Sequence, residues 1–572
     1  MLRPSAFRFE QIKRSQALGG RHLDVVQWDL LARNARLYGG REALVDMLHG
    51  DARSLWRRRT WAEAYHEVNT LIFNLLDRGM RRGGLVVSHL PNCLESIYLD
   101  WATSKLGAMH CGLNVDLGPA ETLGVLEKVQ PDVAIIVAEW HGRDLAGWYR
   151  RAREKLPGMD VYVVATGRTG GGVDDMASAD ELFDEAVWNR YDERDLNYLR
   201  TDPLSVHELL PTAGTTSIPK ISCRTSLDWL HVHGHAVAER AGHTVYDTRL
   251  VIGPVAGGSG RVWAVHTPLI TGGRTLLPLE FDEAQVCRLT EEEGVTLWVW
   301  NPALITRVVT SPAFEAHRLP SLRQVASSGA PMPEQVTARL MERGIVPFNL
   351  YGTSEVGGCM CPILPGVREE HLRQGAGVPL EGYDVVVVGA DGQPLPPGEV
   401  GEILIWNIHH GYFDAPDETA LAFGDTEYGG RWEGYQHTGD LGVYDEHGYL
   451  RVVGRKKDMI LRGGQNIFPK EIEDVLSQHP MVRDIAIVAM PDPVLGERAC
   501  AFVVPREGAR PTVEDFAAFL EARGVAKFKW PERVELLDAM PLGPGGKILK
   551  AELRARIAAK LRATEPEPPA VR

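Results

Sequence analysis

From residue 42 to residue 325 the chain alternates short apolar runs with stretches of helical periodicity. Residues 42–46, 85–90, 133–137, 161–164, 297–300 and 322–325 read as strands. Between them, 25–37, 61–76 and 91–108 carry apolar residues at helical spacing, and Thr60 is placed to cap the second. Strands and helices in alternation demand parallel sheets covered by helices, so the fold class is α/β. After about residue 380 the texture changes. Residues 383–388, 401–405, 442–444 and 449–453 are short strands parted by turns such as Asp391-Gly392, which predicts an antiparallel β-subdomain. Beyond Gly454 a compact α+β segment follows, with helices at 469–477, 513–523 and 550–561 and strands at 484–490 and 500–504. Residues 1–20 read as an extended arm, 167–180 as a surface loop and the Pro-rich tail after Glu565 as disordered, and there are no internal repeats.

Composition narrows the function classes. A chain of 572 residues can hold several cores, and its net charge of −14 argues against a general nucleic-acid binder. An anionic substrate would then need local positive charge. No apolar run reaches the length of a membrane span, and Met1–Gly20 lacks a signal-peptide core, so the expectation is a cytoplasmic enzyme or binding protein. Seven scattered cysteines suit reduced thiols. Cys359 and Cys361 admit a redox or metal pair, but two small buried residues fit better. His231, His233 and His235 look like a metal set, yet on a helix only His231 and His235 share a face.

Five stretches carry chemistry. Thr212-Ala213-Gly214-Thr215-Thr216-Ser217-Ile218-Pro219-Lys220 follows an apolar, strand-like approach and combines a flexible glycine, hydroxyl donors and a lysine. That mix suits a polyphosphate, although it is not a Walker A loop and also suits a polar surface turn. In Tyr351-Gly352-Thr353-Ser354-Glu355, an aromatic face can stack a base, hydroxyls can reach a phosphate and Glu355 can ligate Mg²⁺; a plain strand-end turn is the alternative. Asp440 and Arg455 can serve a ribose or simply pair with each other. Gly463 and Gly464 allow close backbone approach, and Lys547 ends a glycine-rich loop from which it can swing into a site or remain solvated.

In this order, these stretches resemble the adenylate-forming superfamily of acyl-CoA and aryl-CoA synthetases, nonribosomal adenylation domains and beetle luciferases, over roughly residues 25–560. Pro219–Thr225 and Gly524–Arg533 are most similar to the stand-alone aryl-acid adenylating ligases. The resemblance implies a large N-terminal domain, 1–456, of two parallel α/β sheets plus a β-subdomain, and a small mobile domain, 457–572, hinged at Lys457. It implies a phosphate loop at Thr212, Gly214, Thr215, Thr216 and Lys220, with adenine and acyl-pocket walls at Ser328, Gly329, Ala330, Tyr351 and Gly352. Thr353 falls near the α-phosphate, Glu355 near Mg²⁺, Asp440 and Arg455 at the ribose, Gly463 and Gly464 along the pantetheine tunnel, and Lys547 between carboxylate and phosphate. The implied reaction joins a carboxylic acid to ATP as an acyl-adenylate and passes the acyl group to coenzyme A, with AMP leaving, in a monomer or homodimer of specialised metabolism. A separate carrier-protein pantetheine or an amine is an alternative acceptor, and no residue argues for a luciferase-like oxygenase.

Two departures matter. The family's loop commonly ends in glycine and carries a second hydroxyl, whereas here Ala213 lacks the hydroxyl and Ser217 replaces the glycine. A lost charge-assisted hydrogen bond is worth about one to three kcal/mol, which predicts slow adenylation and better work on a preformed acyl-adenylate. It also admits a nucleotide-binding protein of little catalysis, against which Lys547 and Glu355 both speak. The aryl-acid ligases usually place a His-Asn pair where Gly257 and Gly258 stand. Glycines there predict a roomier acyl pocket and a bulky or alicyclic acid rather than a small hydroxybenzoate.

Overall fold

The computed structural model describes residues 25–564, apart from 51, 168–172, 174, 213–218, 331, 363–365, 376 and 543–547 and the side chains of 231–233 and 563–564. By compactness it divides into two units. One comprises the chain through Val385 with Leu404–Gln436, and the other comprises Val386–Ile403 with His437 onward.

The first unit is built on two sheets. A nine-stranded sheet runs in the order Val378–Pro379, Gly357–Cys361, Val346–Thr353, Gln324–Ser328, Leu297–Trp300, Thr248–Val251, Arg274–Leu277, Glu42–Asp46, Arg57–Thr60. A seven-stranded sheet runs Lys220–Thr225, Val206–Thr212, Met109–Asn114, Leu85–Leu90, Val133–Val137, Asp160–Val164, Ala177–Ser178. The central pairs are parallel, as the alternation requires, because each return to the same end of the sheet needs a crossover. Antiparallel pairs close both edges of the nine-stranded sheet and the Lys220–Thr225 edge of the seven-stranded one, whose other edge, Ala177–Ser178, is parallel. Val346–Thr353 changes partner along its length. Through Leu350 it pairs in parallel with Gln324–Ser328, and from Tyr351 it pairs antiparallel with Gly357–Cys361.

Each sheet buries its own apolar layer. Leu250, Trp298, Trp300 and Val325 pack with Val286, Ile305 and Val308 in one, and Val87, Cys111, Ile136, Val163, Leu209 and Ile221 pack with Leu126 and Tyr149 in the other. At about 1.5–3 kcal/mol per fully buried large apolar side chain, these layers are the main source of cohesion. The Thr60 cap is present: its hydroxyl accepts the Glu63 N–H at 3.2 Å, and the Glu63 carboxylate accepts the Thr60 N–H at 2.8 Å. The Leu94–Leu106 helix is buried on every face, including Glu95, Asp100 and Lys105. Its free first N–H, on Leu94, donates to the Asp46 carboxylate at 2.8 Å, which fixes its start three residues later than the pattern suggests.

In the second unit a five-stranded sheet runs Gln465–Ile467, Ile460–Arg462, Gly496–Pro505, Val482–Asp492, with Arg533–Leu536 parallel to Gly496–Pro505. Alternate residues of Val482–Asp492 serve two faces. Ile485 and Ile487 join Ile472, Leu476, Phe516 and Leu520 on one side, while Ala486 and Val488 join Leu553 and Ile557 of the terminal Lys550–Thr564 helix on the other. The strands read at 383–388, 401–405, 442–444 and 449–453 appear as Asp384–Val388, Gly401–Trp406, Gln436–Tyr444 and Leu450–Arg455 in a four-stranded sheet. No helix among the described residues is long and apolar enough to cross a membrane.

Candidate functional site

The two described ends of the stretch read as a phosphate loop, Thr212 and Lys220, belong to an edge hairpin. Val206–Thr212 and Lys220–Thr225 are antiparallel, with Thr212 directly opposite Lys220. Gly214, Thr215, Thr216 and the departures Ala213 and Ser217 lie outside the described residues. Lys220 is half-buried, and among the described residues no carboxylate lies within ion-pair distance of it. Its Nζ stands 5.1 Å from the ring centroid of Tyr412.

The Tyr351–Glu355 stretch is a strand end and a turn. Gly352 lies so close to the returning strand that a Cβ there would stand 2.0 Å from the Gly357 carbonyl oxygen, so only glycine fits. The Thr353 hydroxyl donates to Gln436 Oε1 at 2.6 Å and accepts the Val356 N–H at 3.3 Å, which fixes its rotamer. The Ser354 carbonyl accepts from the Ser222 hydroxyl at 3.1 Å and from Arg224 Nη1 at 3.0 Å. Those two residues belong to the strand that begins at Lys220, so the acidic turn is clipped to the basic hairpin. Arg224 is fully buried, pairs with Asp228 at 3.3 Å and lies 4.2 Å over the Trp229 ring.

A third segment closes the group. Residues 411–413 run beside the Lys220–Thr225 strand: Cys223 N–H donates to Gly411 O at 3.0 Å and Phe413 N–H to Ile221 O at 2.7 Å. Gly411 has φ +70°, and a Cβ there would collide with Thr419. This places the Tyr412 hydroxyl 2.6 Å from Glu355 Oε1. Burial, and then the adjacent carboxylate, push the Tyr412 phenol above its ordinary pKa, so the hydroxyl keeps its proton and donates. Tyr412 is a residue that sequence reasoning missed. It lies far from Glu355 along the chain, and nothing in Gly411-Tyr412-Phe413 alone marks it.

The stretches read as acyl-pocket walls also meet. The Ser328 hydroxyl is hydrogen-bonded to the Ser259 hydroxyl, which joins the Gln324–Ser328 strand to the short Gly258–Arg261 helix. Gly329 has φ +87° with open space around its missing side chain. Ser327 donates its hydroxyl to the Ala330 carbonyl at 3.3 Å. A Cβ on Gly258 would stand 3.3 Å from Trp229 Cη2, and one on Gly257 would meet only the Pro254 carbonyl at 3.4 Å. The indole of Trp229 thus fills part of the room that a side chain at 258 would take.

In the second unit Asp440 and Arg455 are cross-strand partners, Nε to Oδ1 2.9 Å, with Asp440 buried and Arg455 half-exposed. Lys457 lies exposed in the Lys456–Asp458 turn, and Asp458 pairs with Arg554 of the terminal helix at 2.7 Å. Gly463 and Gly464, at φ +55° and +84°, are the two central residues of a hairpin in which Arg462 faces Gln465. That turn requires left-handed backbone at both positions, a requirement of the fold itself rather than of a ligand. A short second strand, Gln465–Ile467, follows the pair directly. Lys547 lies outside the described residues.

Cys359 and Cys361 lie on the strand that pairs with Tyr351–Thr353. Cys359 and Cys361 are buried free thiols, and burial pushes Cys361 up to about 12. The side chains of His231 and His233 lie outside the described residues. Asp100, Glu208 and His266 bring ligand atoms within 4.8 Å of one another, as a metal would need. The positive charge is already there: Arg261 Nη1 is 2.5 Å from Asp100 and 3.5 Å from Glu208.

The chain matches the AMP-binding enzyme family over residues 31–412 and the AMP-binding enzyme C-terminal domain over 471–547. A feruloyl-CoA synthase from Amycolatopsis sp is 31% identical over 507 residues, covering 87% of this chain and 94% of that protein. A salicylyl-CoA synthase / salicylate adenylyltransferase from Streptomyces sp is 30% identical over 542 residues, 93% of each. The solved anthranilate CoA ligase AuaEII, in complex with anthranoyl-AMP, superposes with a TM-score of 0.80 at 20% identity, covering 95% of this chain and 99% of that one.

Proposed function

The chain belongs to the AMP-binding enzyme family, and on that premise we propose that it is an AMP-forming acyl-CoA ligase. It joins a carboxylate oxygen to the α-phosphate of ATP with loss of pyrophosphate. It then transfers the acyl group from the adenylate to the thiol of coenzyme A with loss of AMP. The observation that supports this most is the convergence of Lys220 and Glu355 on Tyr412, which sets a cation and an acid beside one edge hairpin.

Both reactants of the first step are anions, so their approach needs positive charge aimed at the phosphates. Lys220, at the end of the hairpin, and Lys547 supply it in this reading. Thr353, its hydroxyl held by Gln436, faces the α-phosphate. Glu355 fits Mg²⁺: it is partly exposed, Tyr412 anchors one oxygen, and among the described residues nothing hydrogen-bonds the other. When bound, the ion screens the phosphate charge. Asp440 and Arg455 serve the ribose, and Ser328, Gly329, Ala330, Tyr351 and Gly352 wall the adenine and acyl sites. For the second step the domain 457–572 turns about Lys457, withdraws Lys547 and brings Gly463 and Gly464 to the thiol tunnel. Gly257, Gly258 and Gly329 leave a pocket edge without side chains, and the acid is bulky or alicyclic. Its flat apolar wall is the Trp229 side of Gly258.

The test supplies coenzyme A with either ATP plus an acid or the corresponding acyl-adenylate, and compares thioester yields and pyrophosphate release. Thioester from both, with pyrophosphate released one for one in the first, is expected. Thioester from the adenylate alone would move the protein to the second half-reaction, the direction that Ala213 and Ser217 favour. Thioester from neither, across bulky, alicyclic and aromatic acids, would overturn the proposal. Replacing coenzyme A by a carrier-protein pantetheine identifies the acceptor.

A further inference from the structure

Tyr412 touches both charged ends of the site and belongs to none of the five motif stretches. Its ring and its hydroxyl do different things. The ring face lies 5.1 Å from the Lys220 ammonium, within the range of a cation–π contact. The hydroxyl donates to one oxygen of Glu355 at 2.6 Å and leaves the other oxygen to a ligand. The tyrosine itself cannot drift. Its N–H donates to the Thr419 hydroxyl at 2.9 Å, and its neighbours Gly411 and Phe413 are bonded to the Lys220–Thr225 strand. That same strand holds the Glu355 turn through Ser222, Arg224 and the Ser354 carbonyl. Lysine, tyrosine and glutamate are therefore fixed to a common support, with the phenol as the part between the two charges.

We propose that Tyr412 is a positioning residue for both the divalent metal and the nucleotide: its hydroxyl aims the Glu355 carboxylate at the metal, and its ring holds the Lys220 ammonium toward the phosphates. A carboxylate held by one hydrogen bond presents its second oxygen in a set direction, so less conformational freedom is lost on binding the ion. A lysine resting on a ring face is held without a carboxylate partner, which keeps its charge for the phosphates. The inference rests on the reading of Glu355 as the metal carboxylate.

Two substitutions separate the two functions of the side chain. Tyr412→Phe keeps the ring and removes the hydroxyl; Tyr412→Leu removes both. The full chain is titrated with Mn²⁺ in the presence of ATP, and free Mn²⁺ is read by its paramagnetic resonance signal, with no acid and no turnover. ATP binding without metal is measured by calorimetry. Tyr412→Phe should need about ten- to a hundredfold more Mn²⁺ for half-saturation, the scale of one hydrogen bond to a charged group, with metal-free ATP affinity and melting temperature unchanged. Tyr412→Leu should add a severalfold loss of metal-free ATP affinity. Glu355→Gln is the reference, and it should weaken Mn²⁺ binding more than either. If Glu355→Gln weakens Mn²⁺ binding while Tyr412→Phe binds it as the unaltered protein does, the positioning role is overturned and the function stands. If Glu355→Gln leaves Mn²⁺ binding intact, the metal reading beneath the inference fails first. A purely structural tyrosine would lower the melting temperature in both variants and leave the metal half-saturation in place.

Discussion

Two clusters of opposite charge lie in the first unit, and they are built on contrary plans. Around Arg261 the charges are sealed in. Asp100 meets Arg261 Nη1 and His110 Nδ1, each at 2.5 Å, while Glu208 takes His266 Nε2 at 3.0 Å and the Gln27 amide at 2.8 Å, all of them buried. Burial alone would raise the Glu208 carboxyl, but His266 and Arg261 outweigh it and hold it well below the usual carboxylate range. Around Tyr412 the charges are kept apart. Lys220 faces a ring instead of a carboxylate, and Glu355 accepts a phenol instead of a cation. A cluster whose charges neutralise one another has little left for a ligand. One whose charges are held without neutralisation keeps them for use.

The contrast is breakable. The largest effect should come from Arg261→Leu, which strands two buried carboxylates and should cost about 3–5 kcal/mol in denaturant unfolding. A neutral result would mean that the buried cluster does not hold the interior together. Glu355→Gln should do the reverse: pyrophosphate exchange falls about a hundredfold while the melting temperature stays put. A fall in melting temperature of several degrees would put Glu355 among the structural charges.

A smaller effect should come from acid. His89 is buried, its Nε2 on the Asn114 carbonyl at 3.1 Å and its Nδ1 3.4 Å from the Tyr149 hydroxyl, and burial lowers its pKa from 6.5 to about 4. Between those values the unfolded chain binds a proton that the folded chain refuses, so stability falls as the pH is lowered through that window. Melting temperature should decline from pH 7 to pH 4.5, and His89→Gln should flatten the decline. An equal slope in the variant would remove His89 from the account. Smallest of all, Gly258→Ala puts a methyl 3.3 Å from Trp229 and should cost no more than about 1 kcal/mol in stability, with acyl selectivity shifted toward smaller acids. Unchanged selectivity would take Gly258 out of the acyl pocket.

The strands that carry the fold were legible because buried parallel strands are continuous apolar runs, and 42–46, 85–90, 133–137 and 297–300 are observed with those bounds. Lys220–Thr225 was not legible. Lys-Ile-Ser-Cys-Arg-Thr alternates apolar and polar residues, but its polar members are buried against partners far along the chain, Ser222 and Arg224 on the Ser354 carbonyl. No local pattern reports a long-range partner. The same reason hid Tyr412, whose importance lies wholly in what it touches. The glycines were legible as permissive positions, but not which need they serve. Gly352 answers a crowded backbone, Gly464 a left-handed turn, and Gly258 a neighbouring indole.

The clip on the acidic turn uses the backbone of Ser354 on one side and the side chains of Ser222 and Arg224 on the other. Every amino acid has a carbonyl, so position 354 can change its side chain and keep the clip. Position 224 can change almost nothing, since a buried guanidinium reaches that carbonyl, Asp228 and the Trp229 face together. In a library of single substitutions scored by growth or binding, the turn should therefore read as permissive at 354 and the strand as intolerant at 224. The part of the site that looks most like a motif is, at that position, the part with more evolutionary freedom.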